Sequence, residues 1–230
     1  MTLKSLREEV LEANLELVRR GLVLFTFGNA SGIDRASGRV VIKPSGVPYD
    51  QLTAADLVVS DLEGKIVEGT LRPSSDLPTH VSLYRGFPAI GGVVHTHSRY
   101  ATAWAQARAE VPCLGTTHAD YFRGPIPVTP EMQACDIESE YEWNTGQVIL
   151  ERFKDLDPVD MPAVLVSGHA PFCWGPSVSD AAHTAVIVEE LAHMAYVTMN
   201  IRADIDEISN TLRDKHFLRK HGAKAYYGQK

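Results

Sequence analysis

Leu6, Val10, Leu11, Leu17 and Val18 recur at near-helical spacing, so the chain opens with an amphipathic helix. Ser5 and Glu8 have the separation of a capping box, and Gly21 supplies a stop. The texture then changes. Residues 22–27 and 40–43 are short runs of branched and aromatic side chains, the signature of strands. Residues 57–60 and 65–68 flank Asp61-Leu62-Glu63-Gly64 and predict a hairpin, and residues 92–97 and 163–166 predict further buried strands. Helical spacing returns over 79–85, 99–107, 180–199 and 205–220, with Ser98 and Ser179 placed as N-caps and Gly222 as the final stop. Val186, Ile187 and Leu191 form a core stripe, and Trp104, Trp143 and Trp174 are expected to pack. Helices and strands mixed with hairpin connections predict layered α/β or α+β architecture. No repeat or low-complexity linker interrupts the pattern, so residues 1–230 read as one domain.

Composition narrows the function. Hydrophobic residues make up 44% and charged residues 22% of the chain, which excludes a disordered or collagen-like protein. The formal charge of −7 argues against non-specific nucleic-acid binding. Cys113, Cys135 and Cys173 are odd in number and widely spaced, as expected in a reducing compartment. The first ten residues carry no apolar signal core, and no run reaches the ~20 apolar residues that span a bilayer. A cytoplasmic protein without membrane contact is expected.

The candidate chemistry centres on Val93-Val94-His95-Thr96-His97. On a strand alternate side chains share a face, so His95 and His97 project together toward one ion. An apolar run, 164–166, leads into Ser167-Gly168-His169-Ala170-Pro171, which places His169 at a strand end as a third imidazole. Asp76 follows Pro73-Ser74-Ser75 just before a helix, where it is either an N-cap or a fourth donor. Three histidines and a carboxylate suit Zn²⁺, with Mn²⁺ or Co²⁺ as substitutes. His80 follows Asp76 at helical spacing, within reach of supporting it, whereas His183 and His193 read as ordinary helix-surface or packed residues. Three segments have the chemistry of an anion cradle: Gly28-Asn29-Ala30-Ser31, Lys43-Pro44-Ser45-Gly46 and Ser74-Ser75. Small residues let backbone N–H groups approach an oxyanion, hydroxyls and an amide add donors, and Lys43 adds charge. No P-loop motif occurs.

Taken together, these segments resemble the class II aldolase/epimerase family, and within it the L-ribulose-5-phosphate 4-epimerase branch. The resemblance also includes Gly115-Thr116-Thr117-His118-Ala119-Asp120-Tyr121-Phe122, Tyr141-Glu142-Trp143, Lys215-His216, and the stretch from Leu218 through Tyr226-Tyr227-Gly228-Gln229. It implies a three-layer αβα fold with a mostly antiparallel central sheet, and a homotetramer with active sites at subunit interfaces. It implies zinc on His95, His97 and His169, with Asp76 as ligand or close neighbour. It carries sugar-phosphate binding to Gly28, Asn29, Lys43, Ser45, Gly46, Ser74 and Ser75. Acid/base roles fall to Asp120 and Tyr227, contributed by the neighbouring subunit, with His216 ordering the C-terminal segment.

The implied reaction interconverts L-ribulose 5-phosphate and D-xylulose 5-phosphate, which differ only at C4. The carbonyl lies at C2, so C4 carries no acidic hydrogen. Inversion there proceeds by breaking and remaking C3–C4. A class II aldolase of the L-fuculose-phosphate type shares the bond cleavage. Aldolase relatives carry glutamate where this chain has Asp76. An adducin-like, non-catalytic scaffold would lack the histidines or the acid/base pair. One departure is local: relatives often read His-Gly-Pro where Ala170 follows His169, and alanine disfavours positive φ.

Overall fold

The computed structural model describes residues 2–221 and 225–227. Gly222, Gly228 and Gln229 lie outside the described residues. The elements run α1 (Leu3–Arg19), β1 (Asn29–Asp34), β2 (Arg39–Ile42), β3 (Val58–Ser60), β4 (Ile66–Glu68), α2 (Leu77–Gly86), β5 (Gly92–His95) and α3 (Arg99–Gln106). They continue with α4 (Thr116–Ala119), α5 (Ala134–Glu138), α6 (Tyr141–Arg152), β6 (Ala163–Leu165), β7 (Pro171–Gly175), α7 (Val178–Ile201) and α8 (Asn210–His221).

The strands form one sheet in the order β4-β3-β2-β1-β5-β7-β6, with every neighbouring pair antiparallel. Side-chain alternation along β1 shows how the layers stack. A Cβ built on Gly32 would meet Leu6, Val10 and Val178, so that face receives α1 and α7. The adjacent Ser31 points the other way, to His80 and Tyr84 of α2, and α6 packs on α2. The sheet therefore lies between two helical layers, as expected of a three-layer αβα fold. Val93, Val94, Phe172 and Trp174 are completely buried along β5 and β7, because strands covered on both faces must be apolar throughout.

The helix ends are set by local chemistry. The α1 N-cap is Thr2, whose hydroxyl accepts from Ser5 N–H, so the expected Ser5 cap is displaced by one turn. At the other end Leu22 N–H reaches Leu17 O and Gly21 N–H reaches Val18 O, with Gly21 at φ +68°. This is a Schellman stop. Ser177, not Ser179, caps α7. Ser98 stands at the N-cap of α3 but makes no side-chain cap bond. Instead Glu189, from the middle of α7, accepts from Tyr100 N–H and Ala101 N–H at 2.9 Å each. Glu189→Ala leaves both donors without this partner, and is expected to lower unfolding free energy by about 2 kcal/mol. Urea denaturation measures it, and an unchanged midpoint would show that water replaces the carboxylate without loss.

Residues 22–27 are not a strand. They form a turn-rich loop with Phe25 at φ +53°, and β1 begins only after Gly28. The hairpin is as expected, with Asp61 Oδ1 accepting from Glu63 and Lys65 N–H across its turn.

Burial has a consequence for acid stability. His118 of α4 lies 4% exposed and bonds Gly124 O at 2.8 Å. Burial holds it down at about 4 against an ordinary 6.5, although the bond to Gly124 opposes the shift. Below pH 6.5 the unfolded chain takes up this proton and the folded chain does not. Stability therefore falls as pH drops from 6.5 toward 4, by up to about 1.4 kcal/mol per unit from this residue. Urea unfolding at pH 7.0 and 5.0 is expected to show a smaller loss in His118→Gln than in the wild type. An equal loss would assign the effect elsewhere.

Candidate metal centre

Three elements bring the imidazoles together. His95 ends β5, and His97 lies two residues beyond. His169 sits in the tight connection between β6 and β7, and β7 pairs with β5 so that Phe172 stands opposite His95. Their ligand nitrogens lie within 4.8 Å of one another. The loop expected to need glycine after His169 obtains its positive φ instead just before that histidine, at Gly168 (φ +69°). Ala170 is completely buried.

His95 and His169 are held from outside the cluster by neighbouring groups. His95 Nδ1 bonds Pro171 O at 3.0 Å, which fixes the tautomer and leaves Nε2 free for a ligand. The His95 ring stacks on Phe172 at 4.2 Å. His169 Nδ1 lies 3.4 Å from Tyr141 Oη. Burial, then the neighbouring His95, lowers the pKa of His97; burial, then His95 and His97, lowers His169 to about 4. Both are therefore neutral at pH 7, the form that binds metal.

The donor set fits a divalent ion. His95 Nε2 and His97 Nε2 are 3.2 Å apart, close to the roughly 3.3 Å edge of a tetrahedron with ligands at ~2.0–2.1 Å. Asp76 stands beside the triad without belonging to the three-nitrogen cluster. It occupies the N-cap position of α2 but makes no cap bond. Its Oδ2 accepts from Asn29 Nδ2 at 2.6 Å and faces Ser74 Oγ at 3.4 Å. Burial raises its pKa, but His95, His80, the Asn29 bond and His169 outweigh that and hold the carboxyl below its ordinary range.

The cradle residues converge beside it. Gly28 has φ +74°, and a Cβ there would lie 2.8 Å from His95 O, so only glycine fits. Asn29 Nδ2 also donates to Ser74 Oγ at 3.0 Å. Ser74 N–H donates to Lys43 O, and Ser45 N–H to Arg72 O, tying the 43–46 and 72–76 segments together. Gly46 turns at φ +70°. Lys43 is 1% exposed, and among the described residues no carboxylate lies within 4 Å of it. Its ammonium sits 4.6 Å from the Tyr49 ring centre, and burial lowers it to about 8. Ser45, Gly46 and Ser75 are exposed. A buried cation without a counter-charge, next to open hydroxyls and amides, is arranged for an incoming anion.

Asp120 and Tyr227 lie together elsewhere. Asp120 ends α4, and its carboxylate takes Arg219 Nη2 at 2.7 Å, Arg219 Nε at 3.0 Å and His216 Nδ1 at 3.0 Å, with Lys220 at 3.6 Å. Arg219 also stands over the Tyr227 ring, 4.7 Å from its centre. Tyr227 is 60% exposed. No hydrogen bond among the described residues joins either of them to the triad. Sequence placed Tyr141 only within the Tyr141-Glu142-Trp143 motif, with no role, and gave no signal for Phe172; each acts on a histidine through the fold.

Three imidazoles converge at the end of an antiparallel sheet in an arrangement suited to a divalent ion, beside a buried lysine and open hydroxyls and amides. The profile of the class II aldolase and adducin N-terminal domain matches residues 8–196, and the chain belongs to that family. Its fold is shared with an L-fuculose 1-phosphate aldolase, at TM-score 0.78 and 23% identity over 92% of this chain and 94% of that one. YgbL of Klebsiella pneumoniae, described as a putative aldolase/epimerase/decarboxylase, matches at TM-score 0.75 and 26% identity over 94% of this chain and 99% of its own. The L-fuculose-1-phosphate aldolase of Thermus thermophilus matches at TM-score 0.69 and 24% identity, over 88% of this chain and 99% of that one. Among the described residues no helix is long and apolar enough to cross a membrane.

Proposed function

We propose that this chain is an L-ribulose-5-phosphate 4-epimerase, interconverting L-ribulose 5-phosphate and D-xylulose 5-phosphate by cleavage and re-formation of C3–C4. The observation that carries the reading is the triad of His95, His97 and His169 with the short carboxylate of Asp76 held beside it by Asn29. A divalent ion bound there, Zn²⁺ with Mn²⁺ or Co²⁺ as substitutes, supplies Lewis-acid stabilisation of the charge released when C3–C4 breaks.

The chain's own residues do the rest. Gly28, Asn29, Ser45, Gly46, Ser74 and Ser75, with the charge of Lys43, hold the substrate phosphate. That grip keeps the aldehyde fragment beside its partner long enough to present its other face. Asp120 and Tyr227 of an adjacent copy take the C4 hydroxyl proton on one face and return it on the other. The exposure of Tyr227, and of Met194, Tyr196, Val197, Met199 and Ile201 on α7, supports a homotetramer with sites completed between subunits. The free thiols of Cys113, Cys135 and Cys173 support a cytoplasmic setting.

The test is to incubate zinc-loaded protein with L-ribulose 5-phosphate. D-xylulose 5-phosphate is expected without accumulation of glycolaldehyde phosphate. Accumulating aldehyde would favour an aldolase that releases its fragments. Zinc bound with neither product formed would favour a scaffold.

A further inference from the structure

A second polar cluster lies behind the metal centre, on the α2 face of the sheet. His80 is completely buried. Its Nδ1 is 2.7 Å from Ser31 Oγ, and the same Oγ is 2.8 Å from Tyr84 Oη. His80 Nε2 has no partner among the described residues. Of the two tautomers, one leaves fewer buried groups unmatched. If His80 Nδ1 carried the proton, Ser31 would donate to Tyr84, leaving both the Tyr84 O–H without an acceptor and the bare His80 Nε2 without a donor among the described residues. If Tyr84 donates to Ser31 and Ser31 donates to Nδ1, every hydroxyl proton is used. The ring proton then sits on Nε2, a buried N–H donor with nothing yet to receive it.

The acceptor is nearby. Residues four apart share a helix face, which sets His80 over Asp76 at the start of α2. The His80 backbone N–H donates to Asp76 O at 3.0 Å. Asp76 Oδ2 is engaged by Asn29 and Ser74, whereas Oδ1 accepts no bond from the described residues. The His80 ring also lies 6.1 Å from Phe172, the ring on which His95 stacks.

We propose that His80 is a positioning residue for Asp76, its Nε2–H holding the free carboxylate oxygen, directly or across one water, when a divalent cation occupies the triad. The Tyr84–Ser31 pair sets the imidazole tautomer from behind. The inference rests on reading the triad as a metal site, and it assigns a role to side chains that touch neither metal nor substrate.

Zinc affinity of the full-length protein, measured with the metal alone by chelator competition, tests it. His80→Phe keeps an aromatic ring, slightly larger, and removes its N–H. Zinc is expected to bind about 10–100-fold more weakly to this variant. In an Asp76→Asn background the same change is expected to add less than about twofold, since the coupling partner is gone. Cobalt-loaded His80→Phe and Asp76→Asn are expected to show the same shift of the visible absorption bands. Ser31→Ala, which releases Nδ1 while leaving the ring in place, is expected to weaken zinc in the same direction by less. It carries the test if His80→Phe does not fold. Wild-type protein that binds no zinc would overturn the metal reading itself. Wild-type binding with His80→Phe within twofold of it would overturn only the role of His80. Equal losses with and without Asp76 would overturn it too. If His80→Phe does not fold, Ser31→Ala within twofold of the wild type does the same.

Discussion

His97→Asn is expected to strip the metal from the triad and reduce turnover of L-ribulose 5-phosphate by about 10³-fold or more. Lewis-acid stabilisation contributes several kcal/mol, and each ~1.4 kcal/mol is a decade of rate. His97 is the cleanest of the three to remove. It is the most open of the three, whereas His95 is buried against Phe172 and tied to Pro171. The metal-free variant should therefore unfold within about 0.5 kcal/mol of the metal-free wild type. Zinc content, turnover and urea midpoint check the three parts separately. Full turnover with no bound metal would end the metal-dependent reading.

Asp120→Asn should behave in the opposite way, keeping its zinc while turnover falls by about 10²–10⁴-fold, the usual contribution of a general acid or base. Burial raises the Asp120 carboxyl, but the Arg219 and His216 bonds and the Lys220 charge outweigh it and leave the group ionised at neutral pH. In the proposed reaction the carboxylate would accept a proton and Tyr227 would supply one. Near-normal turnover with zinc retained would remove Asp120 from the chemistry and leave it as the anchor of α8.

The triad was legible in the sequence because its signal is local. Strand alternation places His95 and His97 on one side, and the apolar lead into Gly168-His169 marks a strand end. The hairpin at Asp61–Gly64 was legible for the same reason. Residues 22–27 misled, because branched and aromatic residues there belong to a loop that buries Leu22 and Val23 but exposes Leu24, Phe25 and Phe27, which β-propensity alone cannot distinguish from a strand. Strand β7, at Pro171–Gly175, and helix α6, at Tyr141–Arg152, escaped notice: β7 opens on a proline and contains Gly175, and α6 contains Gly146. The α3 cap was invisible for a different reason. Glu189 lies 88–89 residues from the amides it serves, and no pattern of neighbours encodes that. The contacts of Asp120 with α8 are equally remote in sequence.

The antiparallel register also sets a timetable for biogenesis. His95 and His97 emerge from the ribosome long before His169, and only β7, zipped against β5, carries the third ring to them. Contacts of such sequence separation form late. A nascent chain shorter than about 175 residues offers only two imidazoles, a weak and unselective grip. The complete three-nitrogen cluster is thus deferred until the sheet has closed.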